Sequence, residues 1–283
     1  MKRPLLTRAR RFARRQLAKQ ALARRKRAYR AGRPVPPAKT VVFIIGCQRS
    51  GTNMTQEVLD QMSEIDSFEE RDRRAFRRCR ILGLDVRDRL IERSAASCVT
   101  FKPICDSHNV LDLMAQHPGS KAVWVYRRWR DVVNSSVRLW DEHWQHVIGD
   151  LLNGGKDWGW RHEAVSERTL ADLRKVYRPE MTSHECMSLF WYLRNQVYYD
   201  LDLPNNPDAQ IVRYEAMVTE PQDEFGRICR FLGVPYEAGA ADIIFASSIG
   251  KERNPVDDPA LTELCDRMQV RLDESWEQAR TRG

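Results

Sequence analysis

A run of apolar residues followed at once by a glycine-rich polar loop is the feature that most restricts the fold of this chain. The run is TVVFIIG at 40–46, and the loop continues to Thr52. Apolar, β-branched stretches of this length are typical of a strand buried on both faces of a parallel sheet. A helical pattern follows over 52–62. We therefore expect a strand, a tight loop and a helix, the unit from which open α/β sheets are built.

Strand and helix patterns continue to alternate along the chain. Apolar runs predict further strands at 98–103, 121–127 and 210–214. Helical patterns occupy 71–93, 107–117, 183–201, 220–232 and 259–279, and another helix begins at Asp131. Buried-type strands separated by helices favour a three-layer α/β/α fold with a central parallel sheet. Residues 150–180 are polar and contain three of the fourteen glycines, so we interpret them as an insertion or a lid.

Positive charge is concentrated in the first forty residues. The whole chain has 47 Lys and Arg against 39 Asp and Glu, but residues 1–40 hold fifteen of the basic residues and no acidic one. The remainder is slightly acidic, with 32 basic against 39 acidic residues. Gly32 and the prolines at 34, 36 and 37 interrupt the preceding helical pattern. We therefore divide the chain into a basic arm with a Pro-rich linker at 1–39 and a domain at 40–283.

The arm has the pattern of a basic amphipathic helix. Ala, Leu and Arg dominate residues 5–29, and all three favour helices. One side would carry Leu5, Leu6, Ala9, Phe12, Ala13 and Leu17, and the other mostly Arg8, Arg11, Arg14, Arg15 and Lys19. Such a helix could lie on an anionic membrane surface through residues 1–33, or bind a partner. Nucleic acid is disfavoured, because few aromatic residues are interleaved with the charges.

Composition also disfavours several other classes of protein. No apolar run reaches the roughly 18 residues of a membrane-spanning helix, and no uninterrupted apolar stretch marks a secretory signal. Seven cysteines without a CxxC pair indicate reduced thiols rather than disulfides or a zinc site. His143 and His146 have HxxH spacing without an evident third ligand, so we expect no metal. We expect a cytoplasmic protein, peripheral at the inner membrane surface if the arm binds lipid.

The loop after the first strand has the composition of an anion-binding site. Backbone amides at the start of a helix converge with the positive end of the helix dipole, which favours bound phosphate. The loop adds short polar donors and one cation, at Arg49, Ser50, Thr52 and Asn53. Gly46 and Gly51 have the spacing of a P-loop, but Thr52 stands where the essential Lys of GxxxxGK[ST] belongs. An NTP-dependent kinase is therefore the weaker interpretation.

A second basic element follows another predicted strand. Arg127 ends the stretch KAVWVYR, Asp131 lies about one helical turn further on, and Ser135 about two turns. Taken alone, this pattern is equally typical of a solvated helix start. Open α/β sheets bind ligands at the carboxyl ends of their strands, which is where both this element and the glycine-rich loop are placed.

The two elements together resemble the donor site of sulfotransferases that use PAPS (3'-phosphoadenosine 5'-phosphosulfate). Arg49-Ser-Gly-Thr52 resembles the 5'-phosphosulfate loop of that family. Arg127, Asp131 and Ser135 resemble its 3'-phosphate element, although Trp129 replaces a usual Pro. The resemblance covers roughly 40–280 and implies a P-loop-like sulfotransferase fold.

Later segments extend the resemblance. Val212-Arg-Tyr-Glu215 and Phe231-Leu-Gly-Val-Pro235 are similar to family segments, as is Ala246-Ser-Ser-Ile-Gly-Lys251, which resembles a loop that closes over the nucleotide. The donor-binding residues implied for PAPS, or for its product PAP, are Arg49, Ser50, Gly51, Thr52, Asn53, Arg127, Ser135, Tyr214, Ser247, Ser248 and Lys251.

The resemblance also implies residues for the transfer step. Arg49 would offset charge on the oxygen between phosphorus and sulfur, and Lys102 matches a family lysine near the transferring group. A hydroxyl acceptor needs a general base. Ile104 stands where small-molecule sulfotransferases carry a His, whereas other branches use a Glu soon after the first helix. Glu69 is our first choice for the base, its neighbour Glu70 stays open, and His108 is the alternative.

The sequence therefore predicts a sulfotransferase that moves a sulfuryl group from PAPS to a hydroxyl by in-line displacement. The Glu-base branches and the arm favour a carbohydrate or glycolipid acceptor, with a small phenol or a protein tyrosine as alternatives. Two other classes stay open. One is a P-loop-type nucleotide kinase, and the other is a non-catalytic nucleotide-binding protein.

Overall fold

The computed structural model describes residues 5–140, 143–244 and 256–282, with side chains from Gln16 onward. The strands are β1 Thr40–Gly46, β2 Ile65–Phe68, β3 Phe76–Arg77, β4 Arg80–Ile81, β5 Cys98–Phe101, β6 Lys121–Tyr126 and β7 Ala209–Arg213. The helices are α1 Leu5–Arg30, α2 Thr52–Leu59, α3 Leu84–Arg93, α4 Val110–Ala115, α5 Trp129–Trp140, α6 His143–Asn153, α7 Glu167–Val176, α8 Ser183–Asp200, α9 Tyr214–Thr219, α10 Pro221–Leu232 and α11 Pro259–Arg282.

Five of the strands form one parallel sheet in the order β2-β5-β1-β6-β7. The first predicted strand, β1, lies at the centre, paired with β5 through Val42 and Thr100 and with β6 through Ile44 and Val123. A central strand receives helices on both faces, which explains why its sequence is apolar throughout rather than alternating. The predicted three-layer α/β/α architecture with a parallel sheet is confirmed.

The core consists of two apolar clusters, one on each face of the sheet. Alternate residues of β1 divide between them, since Phe43 belongs to one cluster and Val42 and Ile44 to the other. The Phe43 side is covered mainly by the buried helix α8, and the other side by α2, α9 and α10. Because all five strands run parallel, the carboxyl ends of β1, β5, β6 and β7 meet at one edge, where a ligand site is expected.

The predicted helix over 71–93 is wrong in its first half. Only Leu84–Arg93 is helical, and a small antiparallel pair, β3 and β4, precedes it. The turn between these strands puts Arg78 and Cys79 at positive φ. The carboxylate of Asp106 accepts a hydrogen bond from the Ile81 amide at 2.8 Å. This tertiary contact stabilises the pair of strands, and local periodicity in the sequence cannot predict it.

Two further differences concern short or polar elements. Strand β2 was not predicted from the sequence, because it has only four residues and two of them are half-buried. The region 150–180 is more ordered than expected, since α6 extends to Asn153 and α7 begins after Ser166, whose side chain accepts from the Thr169 amide. The irregular part is the segment 154–166, which we call the cover segment.

The last two turns of α1 rest on the domain. Lys26 is buried, with its Nζ 2.7 Å from Asp60 Oδ1, and Arg30 Nη1 lies 3.0 Å from Asp66 Oδ1. Residues 16–21 are exposed. Within the described ranges, no helix combines the length and apolarity needed to cross a membrane.

Candidate active site

The loop after β1 has a backbone shape that depends on its two glycines. Gly46 has φ +136°, and a Cβ there would lie 2.2 Å from the carbonyl oxygen of Val125 on the neighbouring strand β6. Gly51 has φ +101°, and a Cβ would lie 2.3 Å from the Tyr214 ring. Contacts below 3.0 Å cannot be accommodated without displacing these neighbours. The glycines therefore let the loop lie tightly against β6 and Tyr214.

The loop also holds polar groups that lack protein partners. Ser50 is fully buried, and its Oγ has no hydrogen-bond partner among the described residues. The side-chain amide nitrogen and oxygen of Gln48 are also buried and have no hydrogen-bond partner among the described residues. Arg49 adopts φ +69°, a conformation that non-glycine residues rarely take. Orphaned polar atoms beside the start of α2 are suited to an anion's oxygens.

The structure brings the two predicted donor elements together. Arg49 Nε lies 2.9 Å from Ser135 Oγ, although 86 residues separate them in the chain. The guanidinium of Arg127 lies over the Tyr214 ring, 4.3 Å from its centroid, and 3.4 Å from Asp131 Oδ2. Partial burial and the nearby charge of Arg127 lower the pKa of Arg49. Two neighbouring guanidinium groups, one of which lowers the pKa of the other, favour the binding of an anion between or beside them.

Lys102 lies at the end of β5 beside the loop. Its side chain is almost wholly buried, with Nζ 2.7 Å from Asn53 Oδ1 and 2.8 Å from Glu70 Oε2. Glu69, in contrast, is exposed, and its backbone carbonyl accepts from the Asp72 amide. The geometry therefore favours Glu70 over our first choice, Glu69, as the carboxylate that lies beside Lys102 and the loop.

His108 lies further along, in the 3₁₀ helix Ile104–Asn109. Its Nε2 is 2.8 Å from Glu163 Oε2. Burial and the charge of Arg194 lower the pKa of His108, so the imidazole is neutral near pH 7. Its hydrogen-bond partner is Glu163 of the cover segment rather than Lys102 or Glu70. The structure thus assigns His108 to a neighbouring cluster of charged residues.

The remaining predicted site residues have separate outcomes. Thr52 is buried at the start of α2, as expected for a residue that faces the loop. Ser247, Ser248 and Lys251 lie outside the described residues.

Among the residues that the structure describes, no group of three or more His, Cys, Asp or Glu could hold a metal ion. His143 packs against Trp144 and Trp158, with ring centroids 5.2 and 4.8 Å away.

Sequence reasoning missed two residues beside the site. Glu215 is buried, its Oε1 accepts from the Arg128 amide at 3.2 Å, and burial raises its pKa. Its position directly after Tyr214 was the available signal. Arg194 is fully buried on α8. It lies in the helical pattern predicted over 183–201, and such a pattern does not reveal a charged side chain that points inward.

A scan against protein-family models matched the sulfotransferase domain over residues 39–253. The chain belongs to the sulfotransferase family. The match includes the loop, Lys102, the Arg127 element and Tyr214, and it ends before α11. A search of curated proteins returned no significant match. The site described above is therefore the candidate active site of a sulfotransferase.

Solved structures similar to this sulfotransferase include other members of the family. The sulfotransferase domain of the Synechococcus PCC 7002 olefin synthase is 15% identical, with a TM-score of 0.52 over 83% of this chain and 98% of that chain. A sulfotransferase from Alicyclobacillus acidocaldarius is 16% identical, with a TM-score of 0.47, over 85% and 95% of the two chains. A mouse sulfotransferase complexed with PAP is 14% identical, with a TM-score of 0.41, over 86% and 85%. The first of these supports the shared fold.

Proposed function

We propose that this enzyme transfers a sulfuryl group from PAPS to a hydroxyl acceptor. The observation that carries the proposal is the contact of Arg49 with Ser135, at 2.9 Å, which joins the loop after β1 to the element after β6. Two cationic elements joined at the carboxyl edge of the sheet suit a nucleotide that carries charged groups at both its 5' and 3' positions. Tyr214, under the Arg127 guanidinium, provides an aromatic surface beside them.

In this proposal, different residues bind the two charged ends of the donor. The loop amides, Ser50 and Thr52 hold the 5'-phosphosulfate, and Arg127 and Ser135 hold the 3'-phosphate. The orphaned Ser50 Oγ gains a partner when the donor binds, which removes the unfavourable burial of an unpaired hydroxyl. Ser247, Ser248 and Lys251 remain proposed contacts from the sequence alone.

The chemistry is an in-line displacement at sulfur. The acceptor oxygen forms a bond to sulfur while the bond from sulfur to the bridging phosphate oxygen breaks, and PAP leaves with that electron pair. Arg49 and Lys102 offset the negative charge that develops on the bridging oxygen. Glu70 receives the proton of the acceptor hydroxyl. Its contact with Lys102 at 2.8 Å keeps base and cation at the same point of the site.

PAP and ATP titrations of the same protein test the donor assignment. We expect PAP to bind with micromolar or tighter affinity and ATP with magnesium to bind far more weakly, because Thr52 replaces the P-loop Lys. Isothermal titration calorimetry of the full chain measures both. ATP binding without PAP binding would contradict the proposal and favour a kinase. PAP binding with no transfer to any acceptor would favour a non-catalytic nucleotide-binding protein.

We also propose that the acceptor is a carbohydrate or glycolipid and that the enzyme lies at the inner surface of the cytoplasmic membrane. A carboxylate base and the exposed positions 16–21 of the basic helix α1 support this assignment. The docked end of α1, with Lys26 and Arg30, would hold the domain close to the lipid surface.

Glutamine at Arg8, Arg11, Arg14 and Arg15 should weaken binding to vesicles that contain phosphatidylserine. Each basic residue near an anionic surface contributes about 1 kcal/mol, so the four substitutions together should weaken binding by up to about a thousandfold. The substitutions leave the docked residues Lys26 and Arg30 in place. Co-sedimentation measures the effect, with phosphatidylcholine vesicles as the neutral control. Equal binding of both chains to anionic vesicles would rule out membrane association through the arm charges.

A further inference from the structure

Arg194 is a buried cation that forms no ion pair with a carboxylate of the described residues. Its side chain is fully buried on α8, and only Nη2 donates, to the Ile104 carbonyl at 3.4 Å. Nε and Nη1 have no hydrogen-bond partner among the described residues, and no described carboxylate forms an ion pair with it. Burial of an uncompensated charge is strongly unfavourable. The free Nε and Nη1 groups are therefore suited to an anion that contacts them directly.

The groups nearest to Arg194 do not neutralise it. Burial raises the pKa of Cys47 to about 12, so its thiol is neutral at physiological pH. Burial likewise raises the pKa of Cys105. Trp160 lies between two cations, with the Arg161 guanidinium 4.4 Å and the Arg194 guanidinium 5.5 Å from its ring centroid. Arg161 Nε also has no partner within the part of the chain that the structure describes.

One carboxylate of the cover segment lies at the edge of this cluster. Glu163 Oε2 accepts from Arg80 Nη1 at 2.7 Å and from His108 Nε2 at 2.8 Å. Its side chain is 42% exposed, whereas that of His108 is 2% exposed. Arg80 keeps a second partner, because its Nε lies 2.8 Å from Asp106 Oδ1. Glu163 is thus the most exposed member of this set of contacts, followed by Arg80.

The cluster adjoins the transfer point. The carbonyl that Arg194 contacts belongs to Ile104, two residues after Lys102, and Cys47 is the first residue after Gly46 in the donor loop. Arg80 also donates to the Cys105 carbonyl at 3.1 Å. A molecule bound here would lie beside Lys102, on the segment that follows β5.

We propose that this cluster, formed by the cations Arg80, Arg161 and Arg194 and by the neutral donor His108, binds an anionic group of the acceptor. The acceptor then carries a carboxylate or a sulfate near the hydroxyl that receives the sulfuryl group. Glu163 takes the place of that group in the free enzyme and gives it up when acceptor binds. This inference rests on the proposed sulfotransferase function and narrows its acceptor to acidic hydroxyl compounds, such as uronic acid sugars.

Matched acceptor pairs test the inference, with sulfate transfer from PAPS as the measurement. The pairs are methyl glucuronide with its C6 carboxamide, and 4-hydroxybenzoate with 4-hydroxybenzamide. Each pair differs in charge at nearly constant shape. The wild-type chain should prefer the carboxylate member of at least one pair by about tenfold or more in kcat/KM, because the amide leaves the buried cations uncompensated.

Two variants and one control test whether Arg194 and Glu163 determine the preference for the carboxylate acceptor over its amide. Arg194→Met should reduce the preference to within about twofold and leave the free energy of unfolding equal or higher, since an uncompensated buried charge is removed. Glu163→Gln should raise kcat/KM for the carboxylate member by a few-fold. The neutral glutamine amide binds Arg80 and His108 more weakly than the carboxylate of Glu163 does, so it competes less with the carboxylate of the acceptor. Arg168→Met removes an exposed charge on α7 and should change neither quantity.

The outcomes separate this inference from the proposed function. Equal rates with both members of both pairs, or no transfer to either carboxylate, would overturn the acidic acceptor. A preference that survives Arg194→Met, with lowered stability of the variant, would show Arg194 to be structural and would also overturn it. Failure of PAP to bind would instead overturn the donor assignment, which calorimetry tests without any acceptor.

Discussion

Alanine at Arg127 should weaken the binding of PAP about a hundredfold, which corresponds to about 3 kcal/mol. Arg127 directly follows β6, and its buried guanidinium lies 4.3 Å from the Tyr214 ring centroid, so the ring holds the charge in a fixed position. Its loss leaves a phosphate without a charge-assisted partner in a poorly solvated place. Arg49→Ala should have an effect of similar size, because Arg49 is the cation of the loop and contacts Ser135.

A neighbouring arginine provides the matched control. Arg128 is exposed, and only its backbone amide contacts the site, through Glu215 Oε1 at 3.2 Å. Arg128→Ala removes the same charge one residue away and should change PAP affinity by less than about threefold, as screened surface charges do. Calorimetric titration of the three variants measures the effect. Unchanged affinity in both Arg49→Ala and Arg127→Ala would refute the donor-site assignment.

Glutamine at Glu70 should lower the rate of sulfate transfer by about a hundredfold or more while PAP still binds. Removal of a general base typically reduces turnover by about 10²–10⁴. Glu70 is the carboxylate that contacts Lys102, at 2.8 Å, and Lys102 also holds Asn53 at the start of α2. PAP affinity should stay equal or rise, since Lys102 loses an anionic partner and becomes available to the donor.

Glu69→Gln is the matched control for this prediction. The two residues are adjacent, carry the same group and differ in that Glu69 is exposed. Its substitution should leave turnover within about twofold, as is usual for surface positions. Single-turnover rates with saturating PAPS separate the chemical step from binding. A large loss in Glu69→Gln with none in Glu70→Gln would restore the original choice of base.

Most of the sheet and of the donor loop could be predicted from local sequence. The strand at 40–46 matches β1, because a central parallel strand needs an apolar residue on both faces. Gly46 and Gly51 were selected for spacing, and the structure adds the reason, which is the contact of their backbone with Val125 and Tyr214. Where periodicity was weak, prediction failed, as for β2 and for the first half of 71–93.

The elements of the donor site follow from the sequence because each depends on short-range order. A strand, a glycine turn and a helix start occur within a dozen residues, and their spacing carries the signal. The choice between Glu69 and Glu70 has no such signal, since it depends on which of two adjacent side chains faces Lys102, a residue 32 positions away from Glu70. Only the tertiary structure shows which of the two contacts Lys102, and it favours Glu70 as the proposed base.

The cluster around Arg194, beside the proposed donor site, could be predicted from the sequence even less than the choice of base. Its members Arg80, His108, Arg161 and Arg194 come from four separate parts of the chain, and none belongs to a motif. The sequence by itself determined four of the five strands of the sheet and the loop after β1, because those depend on local geometry. Which charges become buried, and which of them lack a partner, was decided only by packing, because burial is a property of the whole fold.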